Sequence, residues 1–258
     1  MQTTGMASGF AYLPGGKRPF SAGVIARPGH ALVRVRPRAA LPLAEGLDLV
    51  IGHLAARGLP RLALAALELR MPSALTPADF VTFNGDYATL LRERGLLPGE
   101  AFPIARSNMA PLFDPPATAM LNAFTYAAPA DAAPAGFGRR DAGAADFVIS
   151  GKPELREDPL GIIAPDIVAG GDTSPAGMAE KARFVIDALR ATTVALGGDW
   201  RQLTGAHAYT TRPLDGAMGV LRESGLASLG ITLVAGYPPV TGLDFEVDVR
   251  AIATQLAV

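Results

Sequence analysis

Apolar residues at Leu43, Leu47, Val50, Ile51 and Leu54 fall on one stripe of a helix, at the i, i+4, i+7, i+8 spacing. The same stripe returns at Met178, Ala182, Val185, Ile186 and Leu189. Ser174-Pro175 precedes it and supplies an N-cap and a first-turn proline. A further helix is predicted after Thr76-Pro77, carrying Phe80, Phe83, Tyr87, Leu90 and Leu91. Two segments have the period of a strand instead. Asp244–Val249 sets Asp244, Glu246 and Asp248 against Phe245, Val247 and Val249, so one face is acidic and the other apolar. Ala206–Thr211 alternates small residues with His207, Tyr209 and Thr211.

These elements come in two similar sets. LRERGL at Leu91–Leu96 is matched by LRESGL at Leu221–Leu226, 130 residues later. AEGLDLVIGHL from Ala44 is matched by AEKARFVIDAL from Ala179. Between them each half has a strand-like run ending in proline, at Pro72 and Pro213. Each half closes with a Pro-Pro turn, Pro115-Pro116 or Pro238-Pro239, and a last extended segment. The shared order predicts a duplication, with units over residues 1–128 and 145–258. The Ala-, Pro- and Gly-rich stretch 129–144 reads as the linker. Each unit is expected to be α+β, a mixed sheet with helices packed on one face. The other sheet face needs a cover that no further helix supplies, so self-association is expected.

Composition narrows the chemistry. Of 258 residues, 49% are hydrophobic and 18% charged, which supports a packed core. The net charge of −1 argues against nucleic acid as a partner. The absence of cysteine excludes disulfides, thiolate metal sites and cysteine nucleophiles. Three dispersed histidines, His30, His53 and His207, argue against a histidine metal site. No signal-peptide pattern and no run of 18 apolar residues is present, so a cytoplasmic protein without membrane contact is the expectation.

The motif DFVTFNGDYATLL (Asp79–Leu91) followed by FPIARSNMAP (Phe102–Pro111) resembles the RidA/YjgF (endoribonuclease L-PSP-like) family of reactive-intermediate imine deaminases. Asp79, Phe80, Asn84, Tyr87, Ala105, Arg106 and Ser107 carry the match. In the second half, ADFVISGKPEL resembles the family's early strand with its Ser150-Gly151 turn, and LDFEVDVRAIA its closing strand. The resemblance implies chorismate-mutase-like units assembling in threes, here a homotrimer, with ligand clefts between units. It implies that Arg106 grips a carboxylate, that Glu246 orients water for imine hydrolysis, and that Ser150 and Gly151 contact the ligand. Each half departs from the pattern. The first keeps the arginine but has Met120-Leu121 where the acid belongs; the second has Glu246 but Ile231-Thr232 near the arginine position. Complete clefts then require the halves to complement each other.

Each candidate has a plainer role beside it. Arg106 can clamp a carboxylate bidentately or pair with a sheet acid. Glu246, flanked by two acids, can have a raised pKa suited to acid–base work or belong to a polar strand face. Ser150-Gly151 can be a ligand-contact turn or a strand-end turn. Asn84 and Tyr237 are weaker ligand candidates, and Tyr87 is expected to pack. His207 reads as a polar sheet residue, and Trp200 as a packing anchor. The loop AGGDTSPAGMAEK lacks the P-loop ending and reads as a cleft-lining loop with a helix cap. The reading that results is hydrolytic deamination of a small enamine or imine carboxylate, needing no metal or organic cofactor. The alternatives are a non-catalytic keto-acid-binding protein and a chorismatase-like lyase or hydrolase acting on a cyclic carboxylate.

Overall fold

The computed structural model describes residues 2–133, 145–156 and 166–258. Most of the expected linker, residues 134–144, lies outside them. The strands are β1 (Thr4–Gly5), β2 (Phe10–Leu13), β3 (Gly23–Ala26), β4 (His30–Arg36), β5 (Leu41–Pro42), β6 (Leu64–Arg70), β7 (Ala105–Pro111) and β8 (Met120–Pro129). They continue as β9 (Phe147–Pro153), β10 (Gly205–Thr210), β11 (Thr232–Tyr237), β12 (Glu246–Ala251) and β13 (Thr254–Ala257). The helices are α1 (Leu43–Ala55), α2 (Pro77–Glu93), α3 (Pro175–Leu196), α4 (Asp215–Glu223) and the short α5 (Leu226–Leu229).

The duplication shows in the element order. β4-α1-β6-α2-β7-β8 is repeated as β9-α3-β10-α4-β11-β12, with α5 added after α4. In each half one parallel strand pair, β6 with β7 and β10 with β11, is joined by a crossover helix, as parallel pairing requires. The helices begin where their caps place them. Thr76 Oγ1 accepts from the Asp79 N–H at 3.2 Å, and Ser174 Oγ accepts from the Gly177 N–H at 3.2 Å, each with proline next. The stripes Leu43/Leu47/Val50/Leu54 and Met178/Ala182/Val185/Ile186/Leu189 are buried in two separate cores, one per half.

Thirteen strands form one sheet in the order β1-β2-β3-β9-β12-β10-β11-β7-β6-β8-β4-β13, with β5 beside β8. Sheet membership does not follow the chain halves. The N-terminal strands β1–β3 extend the sheet of the second half through β9, and the C-terminal β13 lies parallel to β4 of the first. The halves join where β11 meets β7, Tyr237 opposite Ala110. Gly236 permits that approach, since a Cβ there would lie 2.0 Å from Met109 Cε and 2.8 Å from the Ala110 carbonyl.

The helix-free faces differ from the expectation of a cover by a second chain, because the two halves cover each other. Phe10, Tyr12, Val24 and Ala26 pack with Leu32, Ala66, Ala105 and Ala127 in a third core. Beside it runs a polar layer. Arg34 donates to both Glu68 carboxylate oxygens at 2.6 and 2.7 Å. Across from them His207 Nδ1 lies 3.1 Å from Asp248, whose other oxygen accepts from the Tyr209 hydroxyl at 2.5 Å. Glu68 is held low in pKa: burial opposes this, but the Arg34 hydrogen bond and the charges of Arg34, His207 and Arg250 prevail. Facing charges from both halves therefore close the interior.

Candidate active site

The Ser150 hydroxyl on β9 joins the two halves at one point. It donates to the Ser21 carbonyl at 2.6 Å and accepts from the Arg106 N–H at 3.0 Å. On β7, residues two apart share a face, so Arg106 and Asn108 stand side by side. Both line a cavity of about 400 Å³, together with Arg18, Phe20, Phe80, Gly151, Lys152, Phe184 and Glu246 among others. The first half supplies the arginine and the second half the acid, within one chain.

Arg106 is 4% exposed and sits among four rings, with its guanidinium carbon 4.2 Å from the Phe20 centroid, 4.6 Å from Tyr87, 5.5 Å from Phe83 and 5.8 Å from Phe80. Its Nη2 donates to Asn84 Oδ1 at 2.7 Å, whereas Nη1 is buried with no hydrogen-bond partner in the structure. Burial pulls its pKa down to about 10, against the pull of Tyr87 and Glu246, so it stays cationic at neutral pH. A dry guanidinium with one edge unsatisfied is a strong site for a carboxylate.

Glu246 opens β12, is 2% exposed, and has Oε2 without a partner. Its other oxygen lies against Gly151, where an added Cβ would be 1.9 Å from Oε1. Glycine at 151 is thus a condition for that carboxyl position. Burial pushes the Glu246 pKa well above the usual carboxylate range, and the charges of Asp248 and Glu154 add to it. The acids two residues to either side of it are held low. Asp244 overcomes burial through Lys181 and Arg212, whose Nε donates to it at 2.7 Å. Asp248 overcomes burial through His207 and Arg250. Glu246 thus stands between two acids held low, Asp244 just before β12 and Asp248 within it, and is the one whose protonated form burial favours.

Of the residues singled out in the sequence, Arg106, Gly151 and Glu246 meet in the cavity. The hydroxyl of Ser150 is committed to backbone partners, and Asn84 stands behind Arg106, so neither lines it. Tyr237 lies in a separate hollow with Leu112 and Pro115. His207 belongs to the polar layer between the halves. Trp200 donates from Nε1 to the Ser224 carbonyl at 2.9 Å. Among the described residues no cluster of acids and histidines could hold a metal ion. No helix among them is long and apolar enough to cross a membrane.

The lining residues that went unread in the sequence include the charged or amide-bearing Arg18, Asn108, Lys152 and Arg156. Both side-chain polar atoms of Asn108 are buried without partners. Burial and the nearby Arg18 pull the Lys152 pKa down to about 8, with Glu246 opposing. Asn108 and Lys152 lie inside the two quoted motif segments, two residues after Arg106 and one after Gly151, but their spacing alone does not place them in a cavity.

A family described as 2-aminomuconate deaminase CnbZ matches residues 3–256. The chain belongs to this family. A 2-amino-5-chloromuconate deaminase of Comamonas testosteroni, similar to this CnbZ-family chain, is 34% identical over 255 residues, spanning 95% of this chain and 97% of that protein. Among solved structures, a chorismatase covers 97% of this chain and 79% of its own, at 17% identity and a TM-score of 0.48. RidA from a Psychrobacter species covers 46% of this chain and 93% of its own, at 21% identity and a TM-score of 0.27. The likeness to enamine and imine deaminases read from the motifs stands in this family.

Proposed function

We propose that the protein hydrolyses a 2-aminomuconate-type enamine dicarboxylate to the 2-oxo acid, with release of ammonia. One observation carries this reading: an unsatisfied guanidinium edge, an unsatisfied amide and an unsatisfied carboxyl oxygen share one cavity. The free edge of Arg106 holds the carboxylate next to the amino-bearing carbon. Arg18 and Arg156, also in the lining, supply positive charge for the second carboxylate. Asn108 hydrogen-bonds the reacting end. Once the enamine has become an imine, water adds to C2. The neutral Glu246 carboxyl then gives its proton to nitrogen and takes the hydroxyl proton as ammonia leaves and the carbonyl forms.

The test is ammonia release from purified protein and 2-aminomuconate, followed together with loss of the diene absorbance. Arg106→Ala should lower kcat/KM by about 100-fold or more, the scale of about 3 kcal/mol of lost charged hydrogen bonding. Calorimetric binding of dicarboxylic keto acids without turnover by the wild-type protein would return the reading to a binding protein.

We also propose assembly as a homotrimer. β11 lies inside the sheet yet is largely exposed, with Leu233 at 50% and Tyr237 at 41%, and neighbouring Phe113 is 72% exposed. Such an apolar surface favours contact with further copies.

A further inference from the structure

An enamine resists water until a proton reaches carbon, because its nitrogen lone pair feeds the double bond and keeps C2 electron-rich. Glu246 has work at nitrogen and oxygen. A second proton-transfer group is needed, within the cavity and with a pKa near neutrality.

We propose that Lys152 is the acid–base group that protonates the substrate carbon. This inference rests on the deaminase reading. Lys152 directly follows Gly151, against which the Glu246 carboxyl lies. It pairs with Val247, the residue after Glu246, across the β9–β12 ladder, and Lys152 and Glu246 both line the one cavity. Lys152, half-buried, makes no hydrogen bond or ion pair with the described residues, whereas the buried Lys181 is consumed by Asp244 and Glu154. Arg18 in the same lining, together with burial, disfavours a permanent ammonium, and the pKa of about 8 leaves both protonation states accessible. Arginine cannot fill this role, since it does not give up its proton in this range.

The steps balance. The Lys152 ammonium gives a proton to a carbon conjugated with the amino group. The double-bond pair forms the new C–H bond, and the nitrogen lone pair forms C=N. As water oxygen bonds to C2, the C=N pair returns to nitrogen and the neutral Lys152 amine takes a proton from that water. Glu246 then completes the exchange of ammonia for the carbonyl, so enamine and water become 2-oxo acid and ammonia.

The test compares wild type with Lys152→Met, Lys152→Arg and Lys152→Ala on 2-aminomuconate, with circular dichroism to confirm folding. The expected result is a fall in kcat of at least about 100-fold in every variant. KM for Lys152→Arg should stay within about threefold, because charge is kept. Added methylamine should restore part of the Lys152→Ala rate. Wild-type kcat in Lys152→Arg would overturn the proposal, as would Lys152→Met raising KM alone, since either makes the lysine a charge that only binds carboxylate. Wild-type protein inert towards 2-aminomuconate, by contrast, would overturn the deaminase reading itself.

Discussion

At the scale of single residues the site is built from groups that are costly to hold. Arg106, Lys152 and Glu246 each have a pKa moved by burial towards the neutral form. For Glu246 the consequence for stability has a definite sign. Its native pKa lies above the unfolded value of 4.5, so the native state binds the extra proton, and stability falls as pH rises from about 4.5 through the raised pKa. Glu246→Gln should therefore melt higher than wild type at pH 8 by about 2–4 °C per kcal/mol relieved, with the gap closing near pH 4, as calorimetry across pH would show. Turnover should be lost in the same variant. Gly151→Ala tests the opposite property, since its methyl would occupy the place of Glu246 Oε1. A displaced carboxyl should cost about 100-fold in kcat while the melting curve moves little by comparison. The Arg106 motif and the acidic strand identify two of these groups from sequence. Asn108 and Lys152 went unread because nothing in their spacing distinguishes a cavity-lining polar residue from an exposed one.

At the scale of elements, β9 works as a clasp. Its Ser150 bridges the Ser21 carbonyl before β3 and the Arg106 N–H in β7, so one hydroxyl ties three segments at the site. Ser150→Ala leaves two buried backbone groups short of a partner. It should cost about 1–3 kcal/mol, read as a lowered denaturant midpoint, with KM affected less than stability. This differs from the ligand contact expected of a Ser-Gly turn, and the reason is positional: only the crossing of β3, β7 and β9 brings backbone partners to that hydroxyl. The helices were more legible. The stripes of α1 and α3, and the Thr76 and Ser174 caps, depend on residues within a few positions of one another, and the structure buries and caps them accordingly.

At the scale of the whole molecule, the two half-sheets cover each other's helix-free faces, and four exposed large apolar side chains, Leu112, Phe113, Leu233 and Tyr237, belong to β11 and the segment leaving β7, with Val81, Val194 and Val258 elsewhere. Light scattering at micromolar concentration should give the mass of three chains, and Leu233→Glu should shift it towards one, since a charge on that strand is costly to bury. The amino-acid sequence by itself determined the recurrence of like segments in two halves, the helix stripes and caps, and the motif that carries the deaminase likeness, because these follow from local periodicity and from residues close in the chain. Only the tertiary structure decided that β1–β3 and β13 cross between halves, that Arg106 and Glu246 share a cavity inside one chain, and which of three alternate acids has its pKa raised. Those outcomes depend on burial and on charges from distant segments, such as Lys181 beside Asp244 and His207 beside Asp248, whose distances no linear pattern encodes.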